Sequence, residues 1–575
     1  MANPDQIRAA ISERRWLDFL SDYELSDDAA AVEIRDAAVQ LHNSGAVDIL
    51  AAIEEFENGS QDVRFYAVQT FYASALPHIN AQPQAMLAAV RRLVAEGGPN
   101  RDGAFIAPAF RDWCAVGGRA SAIADLLDFR SERDPWYLRL AVEGAARADP
   151  DAALDWALAL IKAGPPSVRH ATLEALSACT GEDSSRGARA LSNLVHMMQA
   201  HDNDLTLSHG LLAAVAIHGR SGAGEADVAS IIDRARKFGA SEVRQRGAAA
   251  LWYQWKVASS PVRERLVAIV KTIPAAEGNA LAMLDRALYQ MAGGDELELA
   301  IEIVEALLVD NDGELSIHTL SSFEHQLLSK HIRRFETLAA AWFVSGHQAL
   351  GEAVTALVRK IHGEPVFFTV DLSTFGYGET ELIFLSRKAI GYLFHTPVTA
   401  ASLLLAVMRT GVGEAVKAAT DLLADPLLIN YSGDLSEYLR DHCQRSDDPA
   451  TPHVAAALDR LERYVDGLRT VGRIKALDPS ERERIIERRR HQDEMEAAMK
   501  EGTKESIFSL ISTKIVLLYG NRSILYVEDP NGETRRLVSD MQSYSHSIEA
   551  ARMIAVDPHG LDLMLRQFRV ERLAR

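Results

Sequence analysis

Apolar residues recur at helical spacing through most of this chain, and the pattern is clearest between residues 136 and 255. There, apolar–arginine pairs at 138, 168 and 243 each open a run of small and apolar residues three or four positions apart, and a similar run starts at 205. Such spacing predicts amphipathic helices. The four starts lie 30, 37 and 38 residues apart, a period typical of stacked two-helix repeats. The pattern therefore predicts an array of helix pairs.

The same opening occurs earlier, where Asp62, Val63 and Arg64 precede another helical run. A register drawn from this point places helix starts at 63, 107, 138, 168, 205, 243 and 280. The first interval, 44 residues, is the longest, and the glycines and proline at 97–100 inside it predict an inserted loop. We therefore predict that residues 1–300 form one domain of repeats.

Three fragments carry a resemblance to a known repeat family: DVRFYAVQTFYA, SVRHATLEALSA and EVRQRGAAALWY. They resemble the second helix of HEAT repeats, in which an aspartate and a Val-Arg pair open a helix of small and aliphatic residues. The resemblance covers roughly residues 60–300. It implies a mostly α fold, an α-solenoid of right-handed stacked helix pairs whose concave face binds other macromolecules.

The Val-Arg pair also has a direct physical interpretation. Valine lies on the buried side of its helix, while the arginine after it lays its aliphatic part along the neighbouring repeat and bonds a carboxylate there. We therefore predict that four arginines are struts between repeats rather than ligand contacts: Arg64, Arg139, Arg169 and Arg244.

Helices are predicted to continue through residues 301–475, where the repeat pattern fades. An irregular insertion near 364–378 interrupts them, with strand-forming residues followed by a glycine-containing loop. Structured loops on a rigid array often carry function, so we expect partner contacts there; a wider turn between two helices is the alternative. The candidate contact residues are Phe367, Phe368, Phe375 and Tyr377.

Residues 478–502 predict a charged connector helix. Ser480 and Glu483 form a capping-box pattern at its start. The helix from Glu481 to Glu501 holds six basic and seven acidic residues and few apolar ones. A helix with this composition is typically exposed and bridges two bodies.

Residues 503–575 predict a small α+β domain of the β-meander type. Three strand-like runs are separated by turn-forming residues: 515–519, 523–527 and 534–538. The run 551–556 predicts a fourth strand, and 561–568 a closing helix.

This last domain holds further candidate partner contacts. Tyr544 and His546 lie among serines and would project to one face of a strand; a polar strand or turn without a partner is the alternative. Arg566 and Arg569 make the end of the chain basic, and we expect them to contact an acidic partner, which includes the protein's own helices.

The charge balance narrows the choice of partners. The chain carries 61 Lys and Arg against 80 Asp and Glu, a formal net charge of −19. Residues 503–575 hold ten basic and nine acidic residues, so the helical part before them holds the excess of acid. A surface this acidic repels phosphate backbones and favours basic partners. We therefore expect protein partners, basic ones among them, and do not expect nucleic acid.

The cysteines and the N-terminus argue against several classes of protein. Cys114, Cys179 and Cys443 are far apart and lack the paired spacing of a zinc ribbon or a disulfide framework. The N-terminus lacks the basic and apolar regions of a signal peptide, and the longest apolar runs are short for a membrane span. We expect a cytoplasmic protein that uses no cofactor and no metal.

No catalytic constellation stands out in the sequence. The glycine-rich segment 219–224 lacks the lysine and hydroxyl residue of a phosphate loop. His318 and His325 lie seven residues apart rather than four, and His442 adjoins Cys443, so the two side chains point to different sides of a helix. We therefore assign no catalytic, cofactor-binding or metal-ligating residue.

These features favour a non-enzymatic scaffold or adaptor in a cytoplasmic multi-protein complex of bacterial type. A second hypothesis is a HEAT-like protein that binds nucleic acid or resembles DNA glycosylases; it needs Arg169, Arg244, Arg246 and Lys256 to form one positive groove. A third is a regulatory or substrate subunit of an anti-phage or stress-response system with a hinged or cleaved connector. The oligomeric state stays open.

Overall fold

The computed structural model shows a mostly helical protein. It divides into two compact units, Met1–Phe335 and Glu336–Arg575, called here the first and second unit. The structure describes residues 4–22, 28–55, 64–96, 105–129, 134–200, 204–360, 365–444, 447–472, 479–504, 514–517, 522–528, 534–540 and 549–573.

The helices of the first unit follow one another with short connections. In chain order they are α1 (Pro4–Ser12), α2 (Trp16–Asp22), α3 (Asp28–Asn43), α4 (Arg64–Ala75), α5 (Pro83–Glu96), α6 (Ile106–Cys114), α7 (Arg119–Ala124), α8 (Asp134–Ala148), α9 (Pro150–Ala163), α10 (Pro166–Thr180), α11 (Ser184–Ala200), α12 (Asp204–Ser221), α13 (Glu225–Phe238), α14 (Ser241–Gln254), α15 (Ser260–Val270), α16 (Gly278–Gly293), α17 (Leu297–Asp310) and α18 (Ser321–Lys330). The division between the units falls within α19 (Ile332–Ser345).

These helices form two series, in each of which every second helix of the chain contacts the next. Each even-numbered helix from α2 to α18 contacts the next even-numbered one, and α9, α11, α13 and α15 form a second series. Consecutive helices such as α8 and α9, or α12 and α13, join the two series. Because an even-numbered helix has a neighbour on each side and an odd-numbered one against its face, most of its surface is buried. In α14, for example, residues 247–251 are all buried.

Small residues allow the even-numbered helices to approach closely. Gly144 of α8 faces α6, and a Cβ atom added there would lie 2.5 Å from the Arg111 carbonyl oxygen and 2.6 Å from Cys114 Cβ. Since the first of these is a backbone atom, it cannot rotate away. The glycine therefore sets the distance between the two helices.

Side chains bond from one helix pair to the next in both units. The sequence separation of such bonds ranges from 31 residues, for Lys271 with Glu302, to 44 residues, for Tyr392 with the Gln348 carbonyl, and most of them span no more than the 39 residues between Arg460 and Asp421. Others of this kind are Asn43 with the His78 carbonyl, Arg111 with Glu143, Arg186 with Asp151, His170 with Thr206, Arg265 with Asp233, Arg334 with Glu298, Thr369 with Glu336, Thr355 with the Tyr392 carbonyl and Arg409 with Asp448. This period continues well past residue 300, where the apolar pattern fades.

The second unit contains further helices and a small sheet. Its elements are α20 (Gln348–Lys360), α21 (Glu379–Leu393), α22 (Pro397–Arg409), α23 (Gly413–Leu422), α24 (Asp434–Cys443), α25 (Thr451–Val471), α26 (Glu481–Lys504), β1 (Lys514–Leu517), β2 (Arg522–Glu528), β3 (Thr534–Asp540), α27 (Arg552–Val556) and α28 (Pro558–Val570). Here α21 contacts α23, α22 contacts α24 and α23 contacts α25. A bent stretch, Leu423–Leu428, follows α23.

Helix α26, which the sequence predicts as a connector, is exposed wherever its side chains are described. Its start has the capping box expected from the sequence: the Ser480 amide donates to the Glu483 carboxylate at 2.7 Å, and the Glu483 amide donates to Ser480 Oγ at 3.2 Å. These reciprocal bonds satisfy two amides that a helix start leaves without partners.

The three strands form one antiparallel sheet in the order β1-β2-β3. Ile524 in the central strand lies opposite Val516 on one side and Val538 on the other. The fourth strand expected at 551–556 is wrong, because that run forms helix α27. A short apolar run is compatible with either structure, and tertiary contacts decide between them. The Met553 amide donates to the Asn430 side chain, which ties the run to the helices instead of to β3.

Gly144→Ala should lower the free energy of unfolding by about 1–3 kcal/mol, the usual cost of overpacking, because α6 must move away from the new methyl group. In urea unfolding followed by circular dichroism, the matched control is Gly467→Ala in α25, where an added Cβ meets nothing within 4 Å. That change should raise stability by about 0.5–1 kcal/mol. An unchanged midpoint for Gly144→Ala would show that the α6–α8 contact is looser than described.

Candidate interaction surface

A cluster of charged side chains connects several even-numbered helices of the first unit. Glu174 on α10 lies 3.3 Å from Arg139 Nη1 on α8 and 3.2 Å from His209 Nδ1 on α12. Arg246 on α14 approaches the same carboxylate at 3.4 Å. A single carboxylate thus contacts side chains from three other helices. With His170, these four residues form what is called here the Glu174 cluster.

The two histidines of the cluster stack on each other. The rings of His170 and His209 lie 4.7 Å apart with 7° between their planes. His170 Nε2 lies 3.0 Å from Thr206 Oγ1, and Arg246 Nη2 lies 3.4 Å from His209 Nε2. His209 therefore lies between the Arg246 guanidinium and the Glu174 carboxylate and connects α14 to α10.

The protonation states follow from these surroundings. Burial, together with the electrostatic effect of His209 and Arg169, lowers the pKa of His170 to about 4. Burial raises the pKa of Glu174, but the hydrogen bond from His209 and the charges of Arg246 and Arg139 outweigh it and lower that pKa to about 2. At neutral pH the cluster holds a neutral His170 and an ionised Glu174. A base with a pKa of about 4 is poorly matched to proton transfer near pH 7, so the arrangement suits a structural link.

Exposed aromatic residues lie near the C-terminal ends of α14 and α16. Tyr253 is 60% exposed and Tyr289 is 42% exposed. The Trp252 ring lies 4.3 Å from the Tyr253 ring and 4.9 Å from Arg286 Cζ. The Gln290 amide, in the orientation that satisfies both groups, bonds Trp252 Nε1 at 2.9 Å and the Trp252 carbonyl at 3.3 Å. Trp252 therefore joins the two helices at this surface.

Three cations accompany these rings. Arg220 at the end of α12, Lys256 after α14 and Arg286 on α16 are exposed, and none of them forms an ion pair within the described part of the chain. A Cβ added at Gly219 would lie 2.8 Å from Val257 Cγ2, so the ends of α12 and α14 are in direct contact. The surface formed by Arg220, Trp252, Tyr253, Lys256, Val257, Arg286 and Tyr289 is called here the aromatic–basic row.

Sequence reasoning did not identify this row, although the signal was present. Tyr253 and Tyr289 are 36 residues apart, as are Arg220 and Lys256. That separation falls within the range of the bonds between helix pairs. Each of these two pairs therefore places exposed side chains of the same kind on neighbouring even-numbered helices or just after them.

No family model matches this chain, and a search of curated proteins found no matching sequence. In the described residues, no helix is long and apolar enough to cross a membrane. Nor does any group of three or more His, Cys, Asp or Glu side chains in that part of the chain have a geometry suited to a metal ion.

The predicted contact residues near 364–378 differ in their surroundings. Phe367 is 44% exposed, with its ring 5.6 Å from that of Tyr438. Phe375 and Tyr377 are half-buried, with rings 5.1 Å apart. Phe368, in contrast, is 1% exposed and belongs to the core. Side chains alternate here between the interior and the surface, so Phe368 is corrected from a partner contact to a packing residue.

Polar side chains hold this irregular segment in place. The Phe368 amide donates to Ser402 Oγ at 2.9 Å. The Thr369 amide and hydroxyl donate to the buried Glu336 carboxylate at 2.6 and 2.9 Å. Two backbone amides of this segment are thus satisfied by side chains of α19 and α22.

The predicted contacts at the end of the chain have mixed outcomes. Tyr544 and His546 lie outside the described residues. Arg566 is exposed and pairs with Asp562 at 3.1 Å. Arg569 donates from Nε to the Gly391 carbonyl at 2.6 Å, and its Cζ lies 5.6 Å from the Tyr392 ring centre. Arg569 therefore contacts the protein's own helix α21.

Residues 549–571, called here the C-terminal clasp, bind the helices of the second unit at two places. The Glu549 carboxylate accepts from the amides of Gly433 and Asp434 at 2.7 and 3.2 Å, at the start of α24. A helix N-terminus has amides without partners and a positive dipole end, which a carboxylate satisfies. Helix α26 and the sheet lie in the chain between α25 and Glu549. Both α25 and the clasp contact other helices of the second unit, so this segment is attached at each of its ends.

The other attachment uses a buried lysine. Lys388 is 1% exposed, and its Nζ donates to the carbonyls of Arg569 and Glu571 at 2.5 and 2.7 Å, at the end of α28. Burial lowers the pKa of Lys388 to about 8, against the effect of Glu571. At Gly391, an added Cβ would lie 3.0 Å from Phe568 Cβ, so α21 and α28 are in close contact.

The four arginines predicted to be struts between repeats differ in the partners that they bond. Arg139 bonds Glu174, and Arg244 bonds Glu277, in each case one helix pair further along. Arg169 instead donates to the Ile161 and Gly164 carbonyls at the end of α9, within its own helix pair. The side chain of Arg64 lies outside the described residues. Arg246 is bonded in the Glu174 cluster. Of the four residues that the positive groove requires, the three arginines therefore have partners within the protein, and Lys256 is the remaining cation.

The cysteines and the histidines considered as candidate reactive groups lie in environments typical of structural residues. Burial raises the pKa of Cys114 and of Cys179 to about 12, which keeps both thiols protonated. His318 Nδ1 lies 3.3 Å from Glu324, while His331 Nε2 lies 2.9 Å from the Ala292 carbonyl. The structure does not bring these histidines into a shared site.

His170 should make the first unit less stable as the pH falls from 6.5 towards 4. In that window the unfolded chain takes up a proton at His170, whereas the folded chain, with its pKa lowered to about 4, does not. Urea midpoints between pH 7.5 and 5 should therefore fall more for the native protein than for His170→Gln. His196→Gln, an exposed histidine on α11, is the control and should keep the native pH dependence. Identical pH profiles for all three proteins would contradict the assignment.

Lys388→Met should weaken the C-terminal clasp by about 1–3 kcal/mol, because two carbonyl groups lose their donor. The measurement is size-exclusion chromatography after cleavage at a protease site inserted in α26. The native C-terminal fragment should co-elute with the rest of the chain, whereas the Lys388→Met fragment should separate from it. Lys417→Met removes an exposed cation of α23 and should behave like the native protein. Co-elution of the Lys388→Met fragment would exclude a dominant role for Lys388.

Proposed function

We propose that this protein is a non-enzymatic interaction scaffold of a cytoplasmic multi-protein complex of bacterial type. In this proposal its helices form an α-solenoid of HEAT-like pairs, and exposed side chains of successive repeats hold a protein partner. The C-terminal sheet, attached through α26 and the clasp, supplies a second contact region.

The single observation behind this proposal is the series of side-chain bonds that span 31–44 residues, most of them 31–39. Bonds of such similar separation between neighbouring helices support a stack of similar units, in which each unit contacts its neighbours. A stack of this kind presents equivalent surface positions at regular intervals, as Tyr253 and Tyr289 do. Such a repeated surface suits an extended partner better than a small substrate.

The internal use of the polar groups supports the same function. Most charged groups of the even-numbered helices described above serve bonds between repeats, as in the Glu174 cluster. The catalytic alternative that resembles DNA glycosylases requires a positive groove, and Arg169, Arg244 and Arg246 are committed to internal partners. We therefore favour protein binding over action on nucleic acid.

A tagged full-length chain, produced at native level in its host and purified under mild conditions, tests the proposal. We expect a partner at near-equal amounts that co-elutes with the chain, and that binds again when both purified proteins are mixed and measured by calorimetry. A variant with Ala at Tyr253, Tyr289 and Phe367 should lose part of this affinity. If the chain elutes alone and turns over a substrate in the same extract, the scaffold proposal fails.

A further inference from the structure

The aromatic–basic row has the chemistry of a binding surface for one kind of partner. We propose that it binds an acidic, partly apolar segment of a partner protein in extended conformation. The carboxylates of that segment lie at Arg220, Lys256 and Arg286, and its apolar side chains cover the exposed rings. This inference rests on the proposed scaffold function and adds to it the location of the contact and the character of the partner.

The charges of the row set it apart from its surroundings. The chain carries a formal net charge of −19, and neighbouring arginines such as Arg244 and Arg246 have carboxylate partners. Arg220, Lys256 and Arg286 have none among the described residues. Basic residues at helix C-termini also complement the helix dipole, but that effect does not require exposed rings beside them. The row is therefore a local positive surface on an acidic protein, complementary to a negative segment.

The apolar part of the row adds the features of a strong contact. Trp, Tyr and Arg are the residues that most often dominate binding energy at protein interfaces. Val257 is 55% exposed and lies close to Gly219, the residue before Arg220. Trp252 is held by Gln290 and by the Arg286 guanidinium, so a partner does not have to order it. Covering these side chains removes apolar area from water without a large ordering cost.

The spacing of the row indicates an extended chain. Packed helices lie about 8–10 Å apart, so Arg220 and Lys256, which lie at the ends of the neighbouring helices α12 and α14, are separated by about that distance. Arg286 lies nearer the middle of α16. An extended chain advances about 3.3 Å per residue and covers one interval in roughly three residues. An acidic residue at every third position would therefore meet Arg220 and then Lys256 and continue towards α16, with apolar residues between them.

A nucleic acid is the other polyanion that such a surface suggests. Its affinity depends on many phosphate contacts, and the row has three cations in a strongly acidic chain. The apolar residue Val257 also has no counterpart in a nucleic-acid backbone. A protein segment, with fewer charges and apolar side chains, fits these groups better.

Fluorescence anisotropy with the full-length chain tests the inference. The probe is a fluorescein-labelled 15-residue peptide with Glu at every third position and Leu or Phe between. A second peptide has the same composition with its glutamates at one end. Two variants alter the row: Arg220→Glu with Lys256→Glu and Arg286→Gln, and Tyr253→Ala with Tyr289→Ala. The control changes exposed cations elsewhere in the first unit: Lys162→Glu, Lys237→Glu and Lys330→Gln.

We expect the spaced peptide to bind the native chain at least tenfold more tightly than either row variant, and the control to stay within twofold of the native value. Equal weakening by the control variant would show non-specific charge attraction and would overturn the inference. So would the absence of peptide binding, equal affinity for both peptides, or tighter binding of a labelled single-stranded oligonucleotide. If a purified native partner binds both row variants normally, the inference fails while the scaffold function stands.

Discussion

The even-numbered helices are the part of the structure on which the rest depends, because none of them can bury its surface within a single helix pair. A helix such as α10 or α14 is apolar or small on most sides, and only neighbours before and after it in the series cover those sides. Each pair therefore depends on the next one. In the first unit this dependence produces a series of similar contacts between helices. The close approach at Gly144 therefore affects the packing of both α6 and α8.

Polar side chains contribute to this arrangement mainly by specifying it. Most bonds that span one helix pair join partly exposed groups, and exposed ion pairs contribute about 0–1 kcal/mol each. Burial of the even-numbered helices supplies most of the stability, while the bonds select which turn of one helix faces which turn of the next. The Glu174 cluster is the strongest case, since one carboxylate orders side chains from α8, α12 and α14. A register held in this way also keeps surface groups such as Tyr253 and Tyr289 in line.

In the second unit, the segment that contains α26 and the sheet differs in composition from the other helices and is held by other contacts. Helix α26 is exposed where its side chains are described, and it has little apolar surface with which to bind the helices. The chain therefore returns to the helices, where Glu549 satisfies the start of α24 and Lys388 satisfies the end of α28. Both contacts pair a charged side chain with free backbone groups at a helix end, so they are specific in direction and in residue.

Much of the local structure was accessible from the sequence by itself. Helical spacing of apolar residues, the capping box at Ser480 and the three strand runs depend on neighbours within a few positions, and the structure has each of them. The excess of acidic residues and the wide separation of the cysteines could also be determined from the sequence. The strut function of Arg139 and Arg244 agreed with a local rule, whereas Arg169, with the same Val-Arg opening, bonds the preceding helix.

Tertiary structure alone decided which side chains meet between helices. His170, His209 and Glu174 come from different helices, and the protonation states of His170 and Glu174 result from burial and charges that the sequence does not order in space. Phe368 and Phe367 are adjacent and chemically identical, but one lies in the core and the other on the surface, because an extended backbone turns successive side chains to opposite sides. The run 551–556 forms helix α27, and its Met553 amide donates to the Asn430 side chain. Apolar periodicity determines that helices form and which side is buried; the identity of the facing partner depends on packing between residues that are distant in the chain.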